Sequence, residues 1–374
     1  MNSDQFPNEQ NHDPGVEISE LSKQGYQLLK EGLIERAIAN FKVILEIQPD
    51  NNYALVGMGD AYRKDRRPDE AAGFYKDCLK FHPGNNYALF GLADCYKTTG
   101  QYNRAIEIWE KYLVHDDTNI TVLTRVADAY RKVRNHDRSK ELYLRVLEAD
   151  ANNSYALVGL GHLHYDFKEY AEALKYWLRL EDLVGRRVDI RVLTSIGNCH
   201  RKLKTFKDGV LYFKRALEKQ PGNFYALFGL ADCYRGMNES DQSLVYWNKI
   251  LEKDPRNKVI LTRAGDAYRA INDLDTAARC YRDALEIEYD VYAAMGIAII
   301  DRLKGDYTSA LSKLDELISK EPKNHRLYIE AANCWRALGD PDSAAKVIEN
   351  YFSTGMQNEA VSEYARRQKK TSST

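Results

Sequence analysis

Charge of one sign is the first thing this chain lacks: 54 basic residues face 55 acidic ones over 374 positions, a formal charge of −1. Binders of polyanions normally carry a basic excess, so a generic nucleic-acid partner is disfavoured and only local basic stripes remain. No apolar run approaches the roughly 20 residues of a membrane span, and no membrane partner is expected. The opening segment MNSDQFPNEQNHDPG has neither the charged start nor the apolar stretch of a signal peptide. The six cysteines form no CxxC motif and share no ligand spacing with histidine. They read as buried thiols acting as small apolar groups, which points to a reducing compartment and a cytoplasmic location. A Walker loop, an HExxH helix and a nucleophile phrase are missing as well. His162 and His164 are two apart and project to different sides of a helix. Gly159-Leu160-Gly161 has no preceding strand and no third glycine. No enzyme activity, no cofactor and no metal is expected.

What is present is repetition. Tyr87 to Tyr96 (YALFGLADCY) recurs unchanged at Tyr225 to Tyr234, and weaker copies run along the chain with a period of 34. Ten units begin at Ile18, Asn52, Asn86, Ile120, Ser154, Ile190, Phe224, Lys258, Val291 and His325. Pro49, Pro83, Pro221, Pro255 and Pro322 each stand just before a new unit. Within a unit, positions 4, 7, 8 and 11 are apolar or small, as in Leu89, Leu92, Ala93 and Tyr96, and fall on one helical stripe. After a turn near Gly100, a second stripe carries Ala105, Trp109 and Tyr112. Each unit is thus a helical hairpin that needs its neighbours to bury both faces. A larger period of 138 links the two YALFGLADCY copies, and also Leu123-Thr124-Arg125 with Leu261-Thr262-Arg263, so a four-unit block has been duplicated.

The second unit, with Leu55, Gly59, Tyr62, Ala71, Tyr75 and Pro83, resembles the tetratricopeptide repeat. The likeness extends over about nine tenths of the chain. It implies an all-α, right-handed superhelical solenoid of antiparallel helix-turn-helix units over residues 18–354. Residues 1–17 are expected as a disordered arm. Residues 355–374 are expected as a capping helix, Met356 to Arg367, with a basic tail. Leu28 and Asp301 stand where the pattern wants Tyr, which weakens the first and ninth units.

A ladder of non-core residues recurs on the first helices. Position 9 holds Asp60, Asp94, Asp128, Asn198, Asp232, Asp266 and Asn333. Position 12 holds Arg63, Lys97, Arg131, Arg201, Arg235, Arg269, Arg302 and Arg336. Position 2 holds Tyr53, Tyr87, Tyr155, Tyr225 and Tyr292. Positions 2, 5, 9 and 12 share one helix face, which the resemblance places on the concave side of the superhelix. There the tyrosines would join Phe90, Phe228, Val56 and Val158 in a groove for an extended peptide. Arg125 and Arg263 match the Arg of the family's carboxylate clamp, but its Lys–Asn pair is missing, which argues against that mode. The ladder also reads as a structural network, of i, i+3 pairs each contributing about 0.2–0.5 kcal/mol or of bridges between adjacent repeats. If the ladder contacts ligand, charge reversal at Asp94 and Asp232 is expected to weaken capture and leave melting unchanged.

The leading expectation is a non-catalytic scaffold holding an extended segment of a partner protein. A recruiting subunit for an enzyme, or a self-associating assembly unit, is the alternative. Nucleic-acid binding through the arginine stripe is a minor one, since the interleaved Asp would repel phosphate.

Overall fold

A side-chain cap starts nearly every first helix, and a left-handed residue ends it. The computed structural model describes residues 14–371, and 21 α-helices account for about four fifths of them, with no strand among the described residues. The first block of hairpins comprises α1 (Pro14–Glu31) with α2 (Ile34–Ile47), α3 (Asn52–Lys64) with α4 (Pro68–Phe81), and α5 (Asn86–Thr98) with α6 (Tyr102–His115). It continues with α7 (Ile120–Lys132) and α8 (His136–Ala149), then α9 (Ser154–Asp166) and α10 (Tyr170–Val184). The second runs through α11 (Ile190–Lys202), α12 (Phe206–Lys219), α13 (Phe224–Gly236), α14 (Ser240–Leu251), α15 (Lys258–Ala270) and α16 (Leu274–Ile287). It ends with α17 (Val291–Leu303), α18 (Tyr307–Lys320), α19 (His325–Ala337), α20 (Pro341–Ser353) and α21 (Glu359–Thr371). The chain divides into two compact units between Arg187 and Val188.

Nine of the ten expected unit starts coincide with the first residue of a helix. The exception is the first: α1 begins at Pro14, so residues 14–17 are helical where an arm is expected, and the rest of that arm lies outside the described residues. Just before each later start, an Asn or Asp side chain accepts a backbone N–H from the first turn, as Asn51 does from Ala54 and Asn223 from Ala226. Each such cap contributes about 1 kcal/mol. At the hairpin turns one residue takes positive φ, as at Gly100 and Arg66. Its conformation lets the next amide reach back, Gln101 to the Tyr96 carbonyl at 2.8 Å and Arg67 to Tyr62 at 3.0 Å. That pairing closes the helix end.

Large side chains at position 24 form the spine of the core. Phe41, Tyr75, Trp109, Trp177, Phe213, Trp247 and Tyr281 are all essentially inaccessible. Glycines make room for them: a Cβ on Gly59 would lie 2.5 Å from the Tyr75 ring, and one on Gly91 of the next unit 2.3 Å away. Tyr75 is therefore gripped between its own first helix and the following one, as are Phe41, Phe213 and Tyr281, which couples neighbouring units. Gly159 and Gly161 do the same for Tyr143 and Trp177, so that phrase belongs to packing. All six cysteines are free and buried, and burial pushes the thiols up, to about 11 at Cys95 and about 12 at Cys199 and Cys233.

At the C-terminus α21 covers the last hairpin. Val361 is fully buried with Tyr328, Ile348 and Tyr351, and the Tyr364 hydroxyl donates to Asn333 at 2.9 Å. The helix begins three residues later than expected and continues to Thr371. In the ninth unit Asp301 replaces the usual Tyr by accepting from Lys313 at 2.5 Å and Ser309 at 3.0 Å.

Candidate functional site

The ladder residues share a helix face but lie at different depths. Position 2 is outermost: Tyr53, Tyr87, Tyr155 and Tyr225 are 64–80% exposed. Asp94 and Asp232, at 8% and 7%, are nearly covered. Most of the cations that reach these carboxylates come from other units, at spacings that a single-helix reading does not include.

Asp94 accepts from Arg63 of the preceding unit at 3.3 Å and from Arg125 of the following one. The Arg125 guanidinium also lies over the Phe90 ring, 5.0 Å from its centroid. In the second compact unit Asp232 accepts from Arg201 at 2.7 Å, Arg235 at 2.6 Å and Arg263 at 3.3 Å. Arg263 lies over Phe228 at 5.3 Å. Burial opposes ionisation of Asp232, but hydrogen bonds and charge from Arg235 and Arg201 outweigh it, and its carboxyl sits below the ordinary range. Burial pulls the Arg263 guanidinium down, against the pull of Asp232.

The other rungs use a different partner. Asp60 accepts from the Tyr75 hydroxyl at 2.8 Å and Arg63 at 3.0 Å, and Asp266 from Tyr281 at 2.8 Å and Arg269 at 3.3 Å. Asp128 pairs with Arg131 at 2.7 Å and with Lys97 at 3.7 Å, and Arg131 also reaches Asp166. Asn198 accepts from Arg201 at 3.3 Å, and Arg302 pairs with Glu330 at 3.2 Å. The Lys97–Asp128, Arg131–Asp166 and Arg302–Glu330 pairs tie one first helix to the next. With Asp94 and Asp232 this deeply engaged, reversing their charge would disturb folding, so melting is not expected to stay unchanged.

Open surface lies beside the ladder. In the first compact unit a hollow of about 1090 Å³ spans α1, α3 and α5. It is lined by Ile18, Tyr26, Tyr53, Val56 and Tyr87 among apolar groups, with Lys23, Lys30 and Asp60 at its polar edges. The Tyr26 hydroxyl is held by the Tyr53 carbonyl at 3.0 Å, which fixes that ring in the wall. Tyr26 is absent from the sequence-predicted set, because in the first unit the aromatic ring stands at position 9, where other units carry Asp.

The structure also brings His136 against His164 and Glu169 of the next unit, and the three offer one ligand atom each within 4.8 Å. His200 instead stacks on Tyr212 and bonds the Thr205 hydroxyl at 2.9 Å, a packed ring in the place of the usual Tyr. Among the described residues no helix is long and apolar enough to cross a membrane.

Models of the tetratricopeptide repeat match residues 23–86, 62–122, 125–183, 225–257, 260–291 and 302–363. No curated protein matches the chain. Similar solved structures include the MamA protein, 25% identical over 46% of this chain and 94% of that one, with a TM-score of 0.43. YrrB, described as a TPR protein with an unusual peptide-binding site, is 21% identical over 50% and 95%, with a TM-score of 0.44. PilF of Pseudomonas aeruginosa is 17% identical over 57% and 96%, with a TM-score of 0.48. With matching repeat models over most of its length and helical hairpins in the same register, the chain belongs to the tetratricopeptide-repeat family.

Proposed function

We propose that this protein is a non-catalytic interaction scaffold that holds an extended segment of another protein against its first helices. The observation that carries this reading is the hollow spanning α1, α3 and α5, where Tyr53 and Tyr87 stand exposed beside a buried Val56 floor. Rigid aromatic rings beside an apolar floor suit the side chains of an extended peptide, and Tyr is a common anchor at interfaces. Lys23 and Lys30 at the rim suit carboxylates on the same peptide. The ladder acts as the frame: by pairing with each other, Asp94, Arg63 and Arg125 hold successive first helices in register. Arginines so engaged are poor partners for phosphate, which weighs against the nucleic-acid reading.

Photocrosslinking from position 87 in cells, followed by mass spectrometry, would identify the segment. The double variant Tyr53→Ala/Tyr87→Ala should then lose at least tenfold in affinity for it with unchanged melting, because both rings are exposed. Full affinity in that variant would remove the hollow from the account.

A further inference from the structure

His136 opens α8 in the fourth unit, His164 closes α9 in the fifth, and Glu169 stands in the turn before α10. We propose that these three side chains form a site for a divalent transition-metal cation, with zinc as its best-fitting probe, clipping the fourth unit to the fifth.

Three groups able to ligate a metal converge there, with His164 Nδ1 donating its proton to Glu169 until a cation displaces it. Glu169 Oε2 lies 2.5 Å from His164 Nδ1 and 3.4 Å from His136 Nε2. His136 Nδ1 faces the Asp137 carboxylate at 3.0 Å, which favours the proton on Nδ1 and leaves the Nε2 lone pair turned towards Glu169. A lone pair against a carboxylate oxygen repels unless a proton or a metal cation lies between. His136 Nε2 is buried with no hydrogen-bond partner, which is the condition a bound cation would relieve.

The dimensions suit zinc. Zinc bonds imidazole nitrogen and carboxylate oxygen at about 2.0–2.2 Å, so tetrahedral ligand atoms stand about 3.3 Å apart. The His136–Glu169 separation of 3.4 Å already matches. The His164–Glu169 pair must open from 2.5 Å, which Glu169 allows because its side chain is 46% exposed and caps no helix. The three ligand atoms lie within 4.8 Å of one another, so the two histidine nitrogens must also draw in, while the stacking of His164 on Tyr176 and the edge-on packing of His136 against Phe167 keep both rings beside the site. Two imidazoles and one carboxylate leave a fourth position for water on the exposed Glu169 side.

The test titrates the metal-free full-length chain with zinc by calorimetry and follows thermal unfolding with and without the ion. One equivalent of zinc should bind and raise the midpoint. His136→Gln, His164→Tyr and Glu169→Gln should each weaken binding on the order of tenfold or more and abolish the zinc-dependent rise. His164→Tyr installs the residue found at this position in five other units, Tyr62, Tyr96, Tyr130, Tyr234 and Tyr268, so the fold survives the loss of the ligand. His162→Gln, two residues away, should bind as the parent does. No binding by the parent chain, or equal binding by all three ligand variants, would overturn the site.

Discussion

The two copies of the duplicated block carry the same constellation 138 residues apart, and the differences between them are coupled. Arg63, Phe90, Asp94 and Arg125 in the first become Arg201, Phe228, Asp232 and Arg263 in the second. Lys97, however, becomes Arg235. The guanidinium folds back onto its own Asp232 at 2.6 Å, whereas Lys97 leaves Asp94 and stands 3.7 Å from Asp128 on the next rung. A second pair changes together: Tyr75 and Asp60, joined by a 2.8 Å hydrogen bond, become Phe213 and Asn198. When the hydroxyl is lost, so is the charge that received it. The ladder is therefore a set of alternative ways to satisfy one buried-to-half-buried polar row.

The largest effect should come from removing the more heavily loaded carboxylate. Asp232→Ala leaves Arg201, Arg235 and Arg263 crowded with no counter-charge and should cost about 3–5 kcal/mol, the penalty of breaking a covered ion pair. Asp94→Ala unpairs Arg125 while Arg63 keeps Asp60 at 3.0 Å, and should cost less, about 2–3 kcal/mol on the same scale. Denaturant unfolding followed by tryptophan fluorescence measures both, and equal losses would break the distinction. The same site predicts an acid limb. Because the Asp232 carboxyl is depressed in the folded state, its contribution is complete above the ordinary Asp value near 4 and fades as pH falls through the lowered one. Asp232→Asn should therefore flatten stability against pH below about 4, and an unchanged acid limb would count against the assignment.

Next in size are the glycines that grip the spine. A Cβ at Gly91 would lie 2.3 Å from Tyr75, and one at Gly229 would lie 2.2 Å from Phe213. Overpacking of this kind costs about 1–3 kcal/mol. Tyr75 is tethered to Asp60 and Phe213 to nothing polar, so Gly91→Ala should destabilise more than Gly229→Ala despite the similar clash. Removing the tether sharpens the point. Tyr75→Phe should cost about 1–2 kcal/mol, and Tyr75→Phe with Asp60→Asn less than the sum of the two single changes, because together they import the second block's solution.

Much of this fold is legible in the period: nine unit starts fall on helix starts, and position 24 is the buried spine. Helical spacing fixes the face of a residue but not its depth, so it places Tyr87 and Asp94 on one side without showing that the first is exposed and the second covered. Depth is set by the neighbouring units. Arg63 and Arg125 reach Asp94 across 31 residues each, a distance that no single-helix rule connects. The Asn caps at 51, 85, 119, 153, 223, 257 and 324 form a regular column in the sequence, and their short side chains directly before each helix carry the signal. The His136–His164–Glu169 cluster is illegible to spacing tests because it joins two helix ends and a turn.

The smallest expected effect isolates the Lys97–Arg235 difference. Both Lys97 and Asp128 are about one-third exposed, so their 3.7 Å pair contributes less than about 1 kcal/mol. Lys97→Arg should give the first block the second block's geometry, with a planar guanidinium able to fold onto Asp94. The gain at Asp94 and the loss at Asp128 largely offset, leaving a change of about 0.5 kcal/mol or less. The informative quantity is therefore the coupling. A double-mutant cycle between position 97 and Asp94→Asn should show little interaction with Lys and a clear one with Arg, while the cycle with Asp128→Asn reverses that order. If both cycles give the same values before and after the exchange, the side chain at position 97 does not choose between rungs, and the two blocks differ only through the Tyr75–Asp60 pair.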